Sequence, residues 1–385
     1  MAERTFDIVL FGATGFTGEL TAKYLAEYAP ANCRWALAGR NRAKLEAVRA
    51  KLGPALHDLP LLTADASDEA SLKAVAEQTR VVITTVGPYI HHGAGLVKAC
   101  AEAGTDYVDL TGEPEFVDSM YVAHHATAEK SGARLVHACG FDSIPHDLGA
   151  YFTVKQLPGK EPITMRGIVR AGGRPSGGTL HSAMTAFSRA RQMAEAATQR
   201  RSLEQRPQGR SSKAAGASPQ RDSTLGLWLL PLPTIDPFIV ARSGAALSAY
   251  GPKFRYSHFA GIKRLPVAVG SVVGVAGVMA AAQVGPVRRA ILSRVKQGDG
   301  PSEQVRAKSW FTVDFVATEG TEKVHTQVSG GDPGYDETAK MLAESAMCLA
   351  FDDNPTTSGQ VTTAQAMGDA LLKRLQAAGM TFRLV

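Results

Sequence analysis

Three glycines near the start of the chain have the spacing of a nucleotide-phosphate loop. They are Gly12, Gly15 and Gly18, within the stretch DIVLFGATGFTG. The first allows a sharp turn after a strand, the second lets backbone approach a pyrophosphate, and the third lets a helix pack closely on a sheet. The phosphates are expected at the N-terminus of that helix, around Phe16 and Thr17. The residues predicted to contact the cofactor at this loop are Gly12, Thr14, Gly15, Phe16, Thr17 and Gly18.

The neighbouring residues supply the elements that such a loop needs. Asp7–Phe11 is a short run rich in apolar residues, whereas residues 19–28 repeat apolar residues at helical spacing. The unit is therefore predicted to be strand, turn and helix, the context in which a glycine motif indicates dinucleotide binding. The alternative is an ordinary βαβ turn that binds nothing.

The residues after the second predicted strand, Trp35–Ala38, indicate which dinucleotide binds. NAD enzymes place a carboxylate near this point, about 20 residues after the glycine loop, for the ribose 2′-OH. Here the sequence reads Gly39-Arg40-Asn41-Arg42. A guanidinium can bind a 2′-phosphate and stack on adenine, so Arg40, with Asn41 beside it, predicts NADP(H). The alternative is that Arg40 and Arg42 open a solvated helix.

Four further apolar runs complete the predicted sheet. Each is followed by a helix or a loop, the pattern of an α/β fold with a Rossmann-type doubly wound parallel sheet. In such sheets the carboxyl ends of the strands line the ligand crevice. Asp65, after the third strand, is therefore placed to contact the adenine amino group, with helix capping as an equal alternative. Gly87 and Pro88, after the fourth strand, are placed beside the nicotinamide.

The pattern changes about midway through the chain, and 385 residues are too many for one typical core. We predict an NADP-binding domain over residues 1–148 and a second, mixed α/β domain for substrate binding or dimerisation over residues 149–334. Residues 200–223 are polar and are predicted to form a mobile loop or lid. Two helices predicted within residues 335–385 are placed to return and pack on the first domain.

Composition and charge exclude several classes of function. The net charge of +6 is modest, and no basic stripe is interleaved with aromatic residues, so nucleic-acid binding is not expected. The four cysteines form no C-x-x-C pair, which is typical of a reduced, cytoplasmic protein. No group of His, Cys, Asp or Glu has the sequence spacing of metal ligands, so no metal is expected. The first apolar run is too short for a secretory signal.

One long apolar stretch, from Leu265 to Val287, contains no charged residue and is flanked by basic pairs. It is long enough to cross a bilayer. A single crossing is disfavoured, because residues 310–316 and 323–328 are predicted to finish the fold as a hairpin. Two interpretations stay open for residues 265–287: a buried core helix, and an exposed segment that contacts acyl chains or a membrane surface.

Several motifs span nearly the whole chain: DIVLFGATGFTGELTAKYLA, LAGRN, VVITTVGPY, CAEAGTDYVDLTGE, ARLVHACGFDSIPHDLG, SGGT, YGPKFRYSH and GDPGYDETAKMLAESA. Together they resemble the trans-acting enoyl reductase family of saccharopine dehydrogenase-like oxidoreductases. GFDSIP, YVDLTGE and GDPGY are far more specific than the glycine loop. The resemblance implies a Rossmann domain, a second mixed α/β domain and reduction of an acyl-chain double bond in lipid or polyketide synthesis. The chain departs from the family pattern at His91 and His146.

Reduction of an enoyl group needs a hydride, a hydrogen-bond donor for the enolate oxygen and a proton source for the α-carbon. NADPH would supply the hydride. The candidates for the other roles lie at predicted cleft ends of strands and are Tyr89, Asp142, Ser143 and His146. Each has a structural alternative. Tyr89 would pack on the nicotinamide ribose and His146 would lie at the surface. Asp142 and Ser143 would cap the helix that opens at Pro145.

Three functions remain as hypotheses. The leading one is an NADPH-dependent enoyl reductase of a lipophilic acyl or polyketide-type substrate, small or carrier-bound. A saccharopine-type dehydrogenase acting on a C–N bond of an amino diacid would need cationic anchors, for which Arg166, Arg170 and Arg174 are available. The third is a non-catalytic NADP-binding protein of lipid surfaces. A cytoplasmic protein is expected, with membrane association through residues 265–287 and a homodimer left open.

Overall fold

The structure, a computed structural model, describes residues 4–172, 184, 188–205, 207–293 and 300–385. The chain divides into two compact units. The first consists of Met1–Phe141, Ala196–Leu203 and Tyr335–Ala378. The second consists of Asp142–Glu195, Glu204–Gly334 and Gly379–Val385.

The strands, in chain order, are β1 Phe6–Phe11, β2 Trp35–Gly39, β3 Leu61–Thr63, β4 Thr79–Thr84, β5 Asp106–Asp109, β6 Arg134–Val136, β7 Ile163–Gly172, β8 Ser211–Ala214, β9 Gln220–Asp222, β10 Leu227–Pro231, β11 Lys253–Ile262, β12 Trp310–Glu319, β13 Glu322–Gly330, β14 Gly359–Val361 and β15 Thr381–Leu384.

The described helices, in chain order, are α1 Phe16–Tyr28, α2 Arg42–Lys51, α3 Glu69–Glu77, α4 Tyr89–His92, α5 Ala94–Ala103, α6 Pro114–Ser131, α7 Ile144–Val154, α8 Ala190–Leu203, α9 Asp236–Ala246, α10 Leu265–Gln283, α11 Gly285–Leu292, α12 Glu303–Arg306, α13 Asp336–Phe351, α14 Thr363–Ala366 and α15 Gly368–Ala377.

The first unit contains a seven-stranded sheet in the order β14-β6-β5-β4-β1-β2-β3. All neighbouring strands run parallel. The central strand β1 is buried along its whole length, as strands covered by helices on both faces must be. The strand order reverses between β1 and β4, so the crevice for a nucleotide lies at the carboxyl ends of these two strands. This is the predicted Rossmann-type doubly wound parallel sheet.

One strand of this sheet was not predicted. For this sheet the sequence predicts six strands, all before residue 148. The stretch before Gln360 is predicted to be a connection between two helices. The structure instead pairs β14 in parallel with β6. This strand has three residues and follows a polar run rich in Asp and Thr. Backbone pairing with β6, and not an apolar pattern in its own residues, defines β14 as a strand.

The second unit is built on a mixed eight-stranded sheet in the order β15-β13-β12-β7-β11-β10-β9, with β8 paired to β11. The pairs β7–β11 and β8–β11 are parallel, and β12 and β13 form the predicted antiparallel hairpin. Helix α7 belongs to this unit. A Cβ on its Gly149 would lie 2.3 Å from Cε2 of Phe315, so α7 and β12 approach closely.

Residues 200–223 are predicted to form a loop or lid, but the structure shows regular elements in part of this polar stretch. It contains the end of α8 and the short strands β8 and β9. Their polar side chains are largely exposed, and backbone pairing with β11 and β10 holds them in the sheet. The SGGT motif, residues 176–179, lies outside the described residues.

Candidate functional site

Two of the three loop glycines are required by the protein itself. Gly12 follows β1 with φ +89°, and a Cβ there would lie 2.6 Å from Cγ2 of Val86. A Cβ on Gly18 would lie 2.3 Å from the carbonyl oxygen of Gly12. Both distances are far below a normal contact, so these positions accept only glycine. They bring the turn after β1 against the end of β4 and hold α1 close to the sheet.

Gly15 is different, because the protein leaves space there. It is exposed, and the nearest atom to an added Cβ is the carbonyl oxygen of Gly12 at 3.6 Å, an ordinary contact. Gly15 is also the N-cap of α1, whose first turn presents backbone N–H groups toward an anion. An open cradle that a side chain would fill, at a helix N-terminus, fits the pyrophosphate of a dinucleotide. Half-buried Thr14, Phe16 and Thr17 surround it.

The residues after β2 separate into distinct roles. Arg40 is exposed and makes no hydrogen bond or salt bridge with the described residues. Asn41 is the N-cap of α2 and accepts the backbone N–H of Lys44 at 3.0 Å. Arg42 bonds to Glu46 at 3.1 Å and to the carbonyl oxygen of Leu61 at 2.9 Å. Arg40 is therefore the guanidinium available to a 2′-phosphate, and Asn41 contributes by starting α2.

We expect Arg40→Asp to lower the affinity for NADPH by about tenfold or more while leaving that for NADH unchanged or higher. A charge-assisted hydrogen bond contributes about 1.5–3 kcal/mol, and the new carboxylate repels the 2′-phosphate. Isothermal titration with both nucleotides measures the preference. Arg42→Gln is the matched control, because the Arg42 side chain already has protein partners. Equal losses in the two variants would contradict the assignment to Arg40.

Asp65 stabilises the turn before α3. Its Oδ1 accepts the backbone N–H of Ser67 at 2.9 Å and the Ser67 hydroxyl at 2.7 Å. These two hydrogen bonds lower the pKa of Asp65, with Arg40 contributing. The N-cap of α3 is Asp68, which accepts the backbone N–H of Ala70. The side chain of Asp65 thus has a local structural role, and the adenine contact stays a proposal.

Tyr89 lies in the first unit, immediately after Gly87 and Pro88, and is 4% exposed. Its hydroxyl donates to the carbonyl oxygen of Thr84 at 3.0 Å, and the backbone N–H of Leu110 approaches the same oxygen at 3.4 Å. Burial and the charge of Asp109 raise the pKa of Tyr89 well above its ordinary value. The hydroxyl therefore ties the ends of β4 and β5 together.

At the start of the second unit, residues 142–145 of the GFDSIP motif form a strained turn into α7. Ser143 has φ +128°, a region that side chains other than glycine rarely adopt, and it is fully buried. It occupies the N-cap position of α7, yet its side chain makes no capping hydrogen bond. The capping role considered for this side chain is therefore absent. Strain of this kind persists where the surrounding structure enforces it, often at functional sites.

His146, on the first turn of α7, joins a buried cluster of polar residues. Its Nδ1 lies 2.8 Å from Oδ1 of Asp236 at the start of α9, and Nε2 of His258 on β11 lies 3.5 Å from Oδ2. The hydroxyl of Thr234 donates to Asp236, and that of Tyr256 lies 3.0 Å from Nδ1 of His258. His146 is 2% exposed, so its predicted surface alternative is wrong.

The cluster shifts the pKa values of its own Asp236 and of nearby Asp142. Burial favours neutral Asp236, but His146, His258 and Thr234 together lower its pKa and keep it ionised. Burial lowers the pKa of His258 to about 3. Burial and the nearby charge of Asp236 raise the pKa of half-buried Asp142, against the opposing effect of His146. The arrangement thus pairs a carboxylate held as an anion with a carboxyl group whose pKa is raised toward neutral pH.

The structure brings three of the four predicted catalytic residues together in the second unit: Asp142, Ser143 and His146. The fourth, Tyr89, lies in the first unit. The sequence analysis missed Asp236 and His258, because they come from separate elements with no regular spacing. Within the described part of the chain, His146, Asp236 and His258 are also a group that could hold a metal ion, with ligand atoms within 4.8 Å of one another.

Among the described residues, the two candidate arginines for an amino diacid are already paired. Arg166 lies 2.6 Å from the buried carboxylate of Asp222, and Arg170 lies 3.1 Å from that of Asp314. Each guanidinium therefore has its charge compensated by the protein. Arg174 lies outside the described residues.

Comparison with known proteins gives matches over part and over all of the chain. The saccharopine dehydrogenase NADP binding domain family matches residues 8–136. A Mycobacterium tuberculosis protein described as a trans-acting enoyl reductase is 40% identical, covering 99% of this chain and 97% of that protein. The trans-acting enoyl reductase of Mycobacterium bovis is 37% identical, covering 98% of this chain and 97% of that protein. Apo saccharopine dehydrogenase (L-Glu forming) from Saccharomyces cerevisiae shares the fold, with TM-score 0.58, 12% identity and coverage of 99% and 100%.

Proposed function

Because this chain belongs to the trans-acting enoyl reductase family of saccharopine dehydrogenase-like oxidoreductases and is an NADP-dependent oxidoreductase, we propose that it reduces the carbon–carbon double bond of a lipophilic acyl or polyketide-type substrate. The observation that carries the proposal is Asp142, a carboxyl group whose pKa is raised to about 6 by burial and by the nearby charge of Asp236. Enoyl reduction consumes one proton for each hydride, so an acid whose pKa is raised toward neutral pH matches the reaction.

The chemistry divides between cofactor and protein. The glycine loop and Arg40 would hold NADPH, whose chemistry there would be donation of a hydride to the β-carbon. Asp142 gives its proton to the α-carbon, which completes the saturated product, and it regains a proton from solvent. The turn at Ser143 orients Asp142, and His146 holds the Asp236 carboxylate that raises the pKa of Asp142. Tyr89 positions the ends of β4 and β5.

The second candidate, a saccharopine-type amino-acid dehydrogenase, has weaker support. An amino diacid presents carboxylates that require cationic partners without competing anions. Arg166 and Arg170 are each paired with an aspartate whose side chain is 2% exposed. Separating such a pair leaves a buried charge uncompensated, which is costly. The paired arginines therefore favour a substrate without multiple carboxylates.

The lipophilic character of the substrate is supported by α10, an apolar helix with large side chains in contact with solvent. Residues of this kind suit an acyl chain, whether free, carried on a thioester or held in a membrane. The four cysteines are free thiols, as in a reducing compartment. We therefore propose that the enzyme is cytoplasmic and associates with a lipid surface.

The test compares substrates in the same assay. NADPH oxidation is followed with trans-2-enoyl thioesters of increasing chain length, and NADP⁺ reduction is followed separately with saccharopine. We expect turnover of the thioesters, with kcat/KM rising with chain length, and none of saccharopine. Turnover of saccharopine alone would replace the proposal with the second candidate. Tight NADPH binding without turnover of either substrate would favour a non-catalytic protein.

A further inference from the structure

We propose that α10 and α11, residues 265–292, form a lipid-binding arm that inserts into one leaflet of a bilayer containing anionic lipids. The inference rests on the proposed function for its biological purpose, a lipophilic substrate, but the binding itself needs no turnover. Among the described residues, α10 is the one helix long and apolar enough to cross a membrane, and only 11% of its most apolar stretch is buried.

Exposure is spread around α10 rather than confined to one face. Val267, Val273 and Val275 are 54%, 67% and 46% exposed. At 100° per residue these three positions are separated by about 120°, 160° and 80° around the helix axis. A second protein copy would cover one side of such a helix, whereas lipid surrounds it. The buried residues of the helix are two alanines, Ala268 and Ala282.

The charges beside the arm match an anionic membrane. Lys263 and Arg264 precede α10 and are exposed, and exposed Arg289 lies on α11. No acidic residue occurs between Lys263 and Arg289. Basic residues next to an apolar segment are attracted to phospholipid headgroups by roughly 1 kcal/mol each. This combination of apolar helix and basic flanks selects an anionic bilayer over a neutral apolar protein surface.

The sheet of the second unit determines how deeply the arm can enter. The strand before it, β11, pairs with β7 on one side, and the strand after it, β12, pairs with β7 on the other. Both ends of the arm therefore return to the same sheet on the same side of a membrane. A one-way crossing is excluded, although α10 is about 28 Å long at 1.5 Å per residue. The arm enters and leaves through one leaflet.

The test uses the full-length protein and vesicles of phosphatidylcholine with phosphatidylglycerol. We expect the wild type to sediment with these vesicles and Val273→Glu to reduce partitioning about tenfold, because a carboxylate in the hydrocarbon region is expensive. Val305→Glu is the matched control: Val305 is 49% exposed but lies on α12, outside the arm, so its binding should equal that of the wild type.

Two further measurements make the outcome decisive. NADPH fluorescence should be equal in all three proteins, which shows that each is folded and that lipid binding is separate from cofactor binding. Sedimentation velocity without lipid reports the oligomeric state. Absence of vesicle binding by the wild type would overturn the inference. So would a wild-type dimer that Val273→Glu converts to a monomer. Vesicle binding by an enzyme that fails to reduce enoyl thioesters would support the arm and refute only the proposed reaction.

Discussion

Replacing Gly15 by valine is expected to abolish NADPH binding while the protein remains folded. The structure has room for a Cβ at this position, with its nearest neighbour at 3.6 Å, and the exposed backbone is extended, with φ −83° and ψ 162°. A β-branched residue adopts that conformation readily. The added methyl groups would occupy the space that the pyrophosphate needs at the N-terminus of α1. We expect affinity for NADPH to fall by at least about a hundredfold, roughly 2.7 kcal/mol.

Gly18→Ala is the informative control for Gly15→Val. Its Cβ would lie 2.3 Å from a backbone oxygen, so the chain must shift and stability should fall. Thermal unfolding should therefore separate the two variants: Gly15→Val close to the wild type, and Gly18→Ala clearly lower. A stable Gly15→Val protein that quenches NADPH fluorescence as the wild type does would mean that the loop is a structural turn and does not hold a nucleotide.

Replacing Asp142 by asparagine is expected to reduce kcat by about a hundredfold or more, since general acids contribute about 10²–10⁴. NADPH affinity should be unchanged, because the glycine loop and Arg40 are untouched. Asparagine has nearly the same shape as aspartate but has no acidic proton to transfer. Stopped-flow measurement of NADPH oxidation with an enoyl thioester reports the loss. Wild-type kcat in Asp142→Asn would remove Asp142 from the mechanism.

The pH dependence identifies the acid more directly. The reaction uses protonated Asp142, so the rate should be highest at low pH and should fall as pH rises through the raised pKa of Asp142. The negative charge of Asp236 contributes to that raised pKa. Asp236→Asn removes the charge, so the pKa of Asp142 should fall and activity should decline at lower pH than in the wild type. An unchanged pH profile in Asp236→Asn would show that another group donates the proton.

The first sheet could be predicted from sequence because each of its main strands is recognised from the residues of that strand alone. Parallel strands buried on both faces appear as apolar runs, and the glycine loop has a spacing that few other structures require. Strand β14 escaped prediction because its three residues carry no such pattern. In the second unit, β8 and β9 are short and mostly polar, so only their pairing with β11 and β10 places them in the sheet.

The candidate site could be predicted only in part, for the same reason. Asp142, Ser143 and His146 were found because they follow a predicted strand. Asp236 and His258 were not, because each is a single polar residue on a different element, and only the packing of α7, α9 and β11 brings them together. The exposure of α10 was likewise undetermined, since an apolar helix has the same sequence whether protein or lipid covers it.

The most direct test of enoyl reduction follows the hydride itself. Wild-type enzyme is supplied with NADPH deuterated at C4 of the nicotinamide and with a long-chain trans-2-enoyl thioester, and the product is analysed by mass spectrometry and NMR. We expect a saturated thioester with one deuterium at the β-carbon and a solvent proton at the α-carbon. Recovery of the unsaturated thioester with all deuterium still on the nucleotide would contradict enoyl reduction.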